Sequence, residues 1–179
     1  IIDLVYKKLT NGSLGSQINI TNNPIADDSD ERFVALCSAS DDIYIFSVTT
    51  GSNKVLKLYK NFSLLHDNIL TSGNNFPINA IVDSDGVVHL LFNNSTLGIY
   101  YCSSSNYTPV HLSSTLDGYY NAGGGIGRIA LQKNGVGELY VFFSTSSGST
   151  SSFYYIKNTG GSWGSAILLY TAPSTVRFV

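Results

Sequence analysis

Apolar residues come in short runs along this chain, such as Phe33-Val34-Ala35-Leu36, Ile43-Tyr44-Ile45-Phe46, Val87-Val88-His89-Leu90-Leu91-Phe92 and Leu139-Tyr140-Val141-Phe142-Phe143. Clusters of Ser, Asp, Asn and Gly separate them. No window of about 11 residues or more repeats apolar positions at i, i+3, i+4 and i+7, the spacing that a helix buried on one face requires. Runs of this length, rich in Val, Ile, Tyr and Phe and bounded by turn formers, predict strands. The whole chain therefore reads as all-β.

The runs repeat. Arg177-Phe178-Val179 restates Arg32-Phe33-Val34, and the opening stretch from Leu4 to Ile18 lines up with Phe153 to Ile167, 149 residues further on, through a shared Gly-Ser-x-Gly-Ser core. Three units of about 50 residues fit that offset, a period in the range of propeller blades.

Each unit keeps an internal count. Tyr44 follows Arg32 by 12 residues, Tyr140 follows Arg128 by 12, and the middle unit keeps the spacing with Pro77 and His89 in those places. A third strand then carries Tyr100-Tyr101 or Tyr154-Tyr155, with Leu56 to Tyr59 and Val5-Tyr6 as weaker counterparts. A tight turn and an outer strand follow. Asn158-Thr159-Gly160-Gly161 supplies residues that tolerate positive φ, as a short hairpin connection needs.

The order of strand, turn, aromatic strand, Gly-Gly-x-Trp turn and outer strand resembles the β-propellers of the sialidase and BNR-repeat type, with degenerate Asp-box turns. Asn158-Thr159-Gly160-Gly161-Ser162-Trp163 and Thr10-Asn11-Gly12-Ser13-Leu14 stand where that family places its box, without its aspartate and with Leu14 in place of the second Trp. The resemblance implies four-stranded antiparallel blades, about three and a half of them here: a partial blade over 1–21, blades over roughly 31–70, 76–113 and 127–171, and the start of another at 176–179. Propellers close with four to eight blades. The expected partner is therefore the remainder of a longer polypeptide or a second copy, the longer chain being favoured because 176–179 opens a first strand that lacks its hairpin partner. A first residue Ile1 and no Met point the same way, to processing or excision.

Charge changes the picture by exclusion. Charged residues make up 12% of the chain and the net charge is -2, with ten Lys plus Arg scattered singly. No basic stripe is available for a row of phosphates, which argues against nucleic acid as a partner. No apolar stretch approaches the roughly 20 residues of a membrane-spanning helix. His66, His89 and His111 never adopt a ligand spacing, and Cys37 and Cys102 form no Cys-x-x-Cys pair, so both cysteines are expected to be buried as small apolar residues, a disulfide across adjacent blades being the alternative.

Three chemical candidates remain. Arg32, Arg128 and Arg177 are the chain's three arginines, each at the start of an innermost strand. Resemblance to sialidases implies a cluster gripping a carboxylate by bidentate hydrogen bonds; the alternative is an inherited position that bonds across blades. Asp27, Asp28, Asp30 and Glu31 make an acidic loop offering oxygen ligands for calcium, the one cofactor entertained. Trp163, the chain's one tryptophan, is the strongest sugar-stacking candidate, with Tyr119 and Tyr120 next; a structural plug between blades is the competing role for Trp163.

Asp83-Ser84-Asp85-Gly86 reads as a β-turn, and Ala122 to Gly127 as a join, because no helix follows to make a phosphate site. Glu31 and Glu138 are the chain's two glutamates, and both are expected in joins or turns, leaving no paired acid and nucleophile for glycoside hydrolysis. The expected function is a non-catalytic glycan-binding module on an extracellular or virion surface. The alternatives are a fragment of a sialidase-like hydrolase and a structural or receptor-binding component of a phage tail or fibre.

Overall fold

The computed structural model describes residues 5–7, 9–11, 13–19, 33–48, 55–67, 69, 75–94, 98–112, 129–147 and 150–172. Among them every regular element is a strand and none is a helix. Three antiparallel meanders follow one another. The first is β5 (Val34–Cys37), β6 (Ile43–Val48), β7 (Leu56–Lys60) and β8 (Ser63–His66); the second is β9 (Asn75–Val82), β10 (Val88–Asn94), β11 (Gly98–Ser103) and β12 (Val110–His111). The third is β13 (Ala130–Lys133), β14 (Leu139–Ser147) and β15 (Thr150–Thr159), with a fourth position split into β16 (Ser162–Trp163) and β17 (Ile167–Ala172), both paired to β15. The repeat inferred from the sequence is thus a repeat of sheets.

A smaller hairpin precedes them. β1 (Val5–Tyr6) pairs β4 (Ile18–Asn19), and β2 (Leu9–Thr10) pairs β3 (Ser13–Leu14). Its register is that of the third sheet's outer hairpin shifted by 149 residues: Val5↔Asn19 matches Tyr154↔Leu168, Tyr6↔Ile18 matches Tyr155↔Ile167, and Leu9↔Leu14 matches Asn158↔Trp163. The leading hairpin is therefore built as the outer half of one more unit.

Side-chain alternation decides how the sheets meet. Tyr44, Phe46, Leu56 and Leu58 of the first sheet pack with Val88, Leu90, Phe92 and Cys102 of the second. From the other face of the second sheet, Leu91 and Ile99 pack with Leu131, Leu139, Val141, Phe143 and Ile156 of the third. Burial of one such Leu or Phe is worth roughly 1.5–3 kcal/mol. Because the second sheet is covered on both faces, β10 has no polar alternate until Asn93, and its one polar residue before that, His89, must find partners inside.

The first strands lie nearest to one another across sheets, β9 resting against β5 on one side and β13 on the other. Pro77, which has no N–H to donate, sits in β9 beside a bulge where Leu91 opposes Asn79 and Phe92 opposes Pro77. At the opposite border, β8 and β17 are each interrupted by a register shift, which limits strand addition to their exposed edges.

Both tyrosines of β11 are packed between sheets, Tyr100 on the cluster of the first two and Tyr101 on that of the second and third. The cysteines differ. Cys102 is buried, and burial pushes its thiol up to about 12, whereas Cys37 is exposed on the short strand β5; both are free thiols.

Candidate functional site

In an antiparallel meander the first-to-second and third-to-fourth turns emerge at the same end. Here that end is built three times from one design. Residues 38–42, 83–87 and 134–138 each close with a backbone pair, Ser38 N–H to Asp42 O at 2.9 Å, Asp83 N–H to Val87 O at 3.0 Å and Asn134 N–H to Glu138 O at 3.0 Å. The fourth residue of each turn lies in the left-handed region, Asp41 at φ 61°, Gly86 at 77° and Gly137 at 88°. That conformation costs little for Gly and is tolerated by Asp, which explains the residue types found.

The first side chain of each turn accepts from the backbone ahead of it. Ser38 Oγ takes the Asp42 N–H at 3.1 Å, Asp83 Oδ1 takes the Asp85 and Val87 N–H groups at 3.0 and 2.8 Å, and Asn134 Oδ1 takes the Val136 and Glu138 N–H groups at 3.1 and 2.9 Å. The turn expected from Asp83 to Gly86 is present, closed by Gly86 N–H to Asp83 O at 3.1 Å.

In the first and third sheets an acid, a tyrosine and a lysine share one arrangement. Lys60 stands opposite Tyr44, meets Asp42 at 2.8 Å and lies 5.5 Å from the Tyr44 ring centroid; Lys157 stands opposite Tyr140, meets Glu138 at 2.6 Å and lies 5.7 Å from the Tyr140 ring centroid. Lys60 and Asn61 hold the Asp42 carboxyl below its usual range, and Lys157, Tyr140 and Asn134 draw Glu138 down to about 2.

The second sheet replaces that set. His89 takes the tyrosine's place and Val87 the acid's, and the acid moves to Asp83, whose side chain is only 4% exposed. Asp83 Oδ2 accepts from Lys133 of the third sheet and from His89 Nε2–H at 3.1 Å, so the Tyr101 hydroxyl donates to His89 Nδ1 at 2.8 Å. Burial raises the Asp83 carboxyl, but the hydrogen bonds from Lys133, His89 and the Val87 amide outweigh it and hold it well below the carboxylate range. Burial pushes the His89 imidazole down more than Asp83 pulls it up, and burial pushes the Tyr101 phenol up to about 12. The network runs between two sheets and anchors their turns to one another.

Above it opens a cleft of about 540 Å³, bounded by residues 81–85 on one side and by Gln132, Lys133, Asn134, Gly135 and Gly137 on the other. Asp83, Lys133 and Asn134 are occupied within the frame, while Ser84, Asp85 and Gln132 are exposed. The cleft therefore presents a hydroxyl and a carboxylate on a hydrogen-bonded turn and an amide on the end of a paired strand.

Trp163 borders a second cleft, of about 430 Å³, with Lys157, Thr159, Ser162, Gly164, Ser165 and Ile167. Its ring also packs on the core between the second and third sheets, and its buried Nε1 has no hydrogen-bond partner. The residue thus acts as a plug between sheets and lines a surface cleft as well. Its turn is the two-residue hairpin expected there, with Gly160 at φ 60° and Gly161 at 88°.

The other sequence candidates, Tyr119, Tyr120, Arg32, Arg128, Arg177, Asp27, Asp28 and Asp30, lie outside the described residues. Among the described residues no group of three His, Cys, Asp or Glu side chains is placed to hold a metal ion, and no helix is long and apolar enough to cross a membrane. Sequence reasoning missed the Asp83, His89 and Lys133 network. Its signal was present: His89 and Val87 both depart from the acid-x-Tyr pattern of the other two units.

No protein-family profile and no curated protein matches the chain. Among solved structures, its fold is similar to one described as a new family of polysaccharide lyase, PL25 ulvan lyase, at a TM-score of 0.59 and 10% sequence identity. The likeness covers 93% of this chain and 50% of the other, so the chain spans half the length of the structure it resembles. At this identity the likeness is one of all-β fold.

Proposed function

We propose that this chain is part of a carbohydrate-binding β-propeller, with the three meanders as successive blades and their first strands innermost. The adjacency of β5, β9 and β13 supports that architecture. The likeness to a polysaccharide lyase structure supports the ligand class.

The observation that carries the reading is the cleft between the second and third sheets. Sugar hydroxyls are recognised by fixed donors and acceptors, and Ser84 and Asp85, on a turn locked by its own hydrogen bonds, and Gln132, on strand β13, provide both. Preorganised groups lose little entropy on binding, which suits a shallow site for a flexible polymer. The reading is binding without turnover: beside this cleft, His89 and Tyr101 are engaged with each other between the sheets.

The test is a glycan array probed with the 179-residue chain, alongside an Asp85→Ala, Gln132→Ala double variant. Selective binding that falls at least about tenfold in the variant supports the reading, in line with loss of two charge-assisted or neutral hydrogen bonds. A folded chain that binds no glycan, or a variant that binds unchanged, overturns it.

A further inference from the structure

One position recurs in all three sheets with a different fate in the last. Phe46 pairs with Leu58, Leu91 with Tyr101 and Phe142 with Tyr155, each on the second and third strands of its sheet. Phe46 is 2% exposed and Leu91 0%, because the following sheet covers each; Phe142 is 38% exposed. Around it Tyr140 and Tyr155 form an aromatic face, the Tyr140 ring centroid lying 6.0 Å from that of Phe142 and 5.9 Å from that of Tyr155. This face is the one that in the preceding two sheets receives a neighbour.

The other half of such a junction lies at the far end of the same chain. At the junction of the second and third sheets, Trp163 of the outer hairpin meets Tyr101 of the preceding sheet, ring centroids 5.0 Å apart. Leu14 occupies the place of Trp163 in the leading hairpin, by the 149-residue register equivalence, and is 67% exposed. Tyr155 occupies the place of Tyr101.

We propose that the aromatic face of Tyr140, Phe142 and Tyr155 docks the leading hairpin of a second copy of this chain, bringing Leu14 of one copy onto Tyr155 of the other. Both surfaces are carried by each chain, so two copies related by a twofold axis satisfy both junctions at once and form a closed pair instead of an open filament. The inference does not depend on the sugar reading.

The test is sedimentation of the 179-residue chain over a concentration series, with Leu14→Lys and Phe142→Lys as variants at exposed positions. The expected result is a two-copy mass for the wild type that drops to one copy in either variant, with unchanged circular dichroism. As a second measurement, Leu14→Cys and Tyr155→Cys chains, each also carrying Cys37→Ser, are mixed and oxidised; a disulfide joining one of each is expected. A wild type that stays a single copy at every concentration, association indifferent to both lysines, or a mixture that yields no mixed disulfide overturns the proposal.

Discussion

Trp163 meets Tyr101 edge to face across the junction of the second and third sheets, ring centroids 5.0 Å apart and planes at 67°. The contact seals the outer part of a junction whose inner part is held by Leu91, Leu131 and Val141. Its cost is a buried Nε1–H with no partner. Trp163→Phe removes that donor while keeping a ring, so the loss of area is offset and stability should fall by no more than about 1 kcal/mol. Trp163→Ala removes the seal and should cost about 2–3 kcal/mol, below the usual range for a wholly buried tryptophan because the ring is only partly buried. Urea denaturation of both variants checks the order; equal losses would mean that the indole N–H has a partner in solution.

Phe46 and Phe142 make a matched experiment, since they hold one position in two sheets and differ in burial. Phe46→Ala should cost about 3–5 kcal/mol, the transfer and cavity terms together. Phe142→Ala should cost less, about 1–2 kcal/mol in a dilute, single-copy sample, because more than a third of its surface stays in water and its removal leaves no closed cavity. Similar losses at the two sites would mean that Phe142 is covered even in the single chain.

Asn61 tests the hairpin turn between β7 and β8, where Asn61 at φ 48° and Phe62 at φ 69° are both left-handed. Asn61 also ties that turn to the neighbouring one: its Oδ1 accepts the Ile43 N–H at 2.9 Å and its Nδ2 donates to Asp42 at 2.7 Å. Asn61→Gly loses the hydrogen bonds alone, about 1 kcal/mol at this exposed site. Asn61→Ala loses them and adds about 1 kcal/mol for a Cβ in the left-handed region. Thermal or urea unfolding should therefore rank wild type above Gly and Gly above Ala.

The strands and turns were legible because each is a local decision. Val-, Ile- and Phe-rich runs alternate across a sheet, and the Gly160-Gly161 turn needs positive φ whatever surrounds it. The 149-residue offset, read from a Gly-Ser-x-Gly-Ser likeness alone, is a register equivalence of whole hairpins. What could not be read was which residues meet between units. Asp83 looked like an ordinary turn aspartate, and its second oxygen bonds Lys133, 50 residues away in the next sheet. Cys37 was expected inside because free cysteine is usually buried, but β5 is a short edge strand and leaves it exposed. The sequence leaves Trp163 open between sugar platform and plug; its place opposite Asn158 turns it toward Tyr101, which no count along the chain reveals.

His89 should give the fold a pH dependence of its own. Its imidazole is buried, donates to Asp83 and accepts from Tyr101, a pattern that only the neutral ring completes. Burial lowers its folded pKa, with the Lys133 ammonium acting in the same sense and Asp83 against them. In the unfolded chain the ring titrates near 6.5. Below that pH the unfolded state binds the additional proton first, so stability falls with falling pH and levels off once the folded ring is protonated too. Asp83 acts in the same direction but in a lower window: its folded pKa is depressed, so the stability it contributes is present above the unfolded carboxylate value of about 3.9 and is lost only as pH falls below it. The two windows can therefore be separated. His89→Gln should remove the slope that begins near pH 6.5 and leave the acid limb below about pH 4, where the carboxylate still titrates. Unfolding free energies for wild type and variant across about pH 2 to 8 check it. A difference that stays constant across that range would mean that His89 does not titrate between the folded and unfolded states, and that the Asp83 and Lys133 contact holds the two turns together without it.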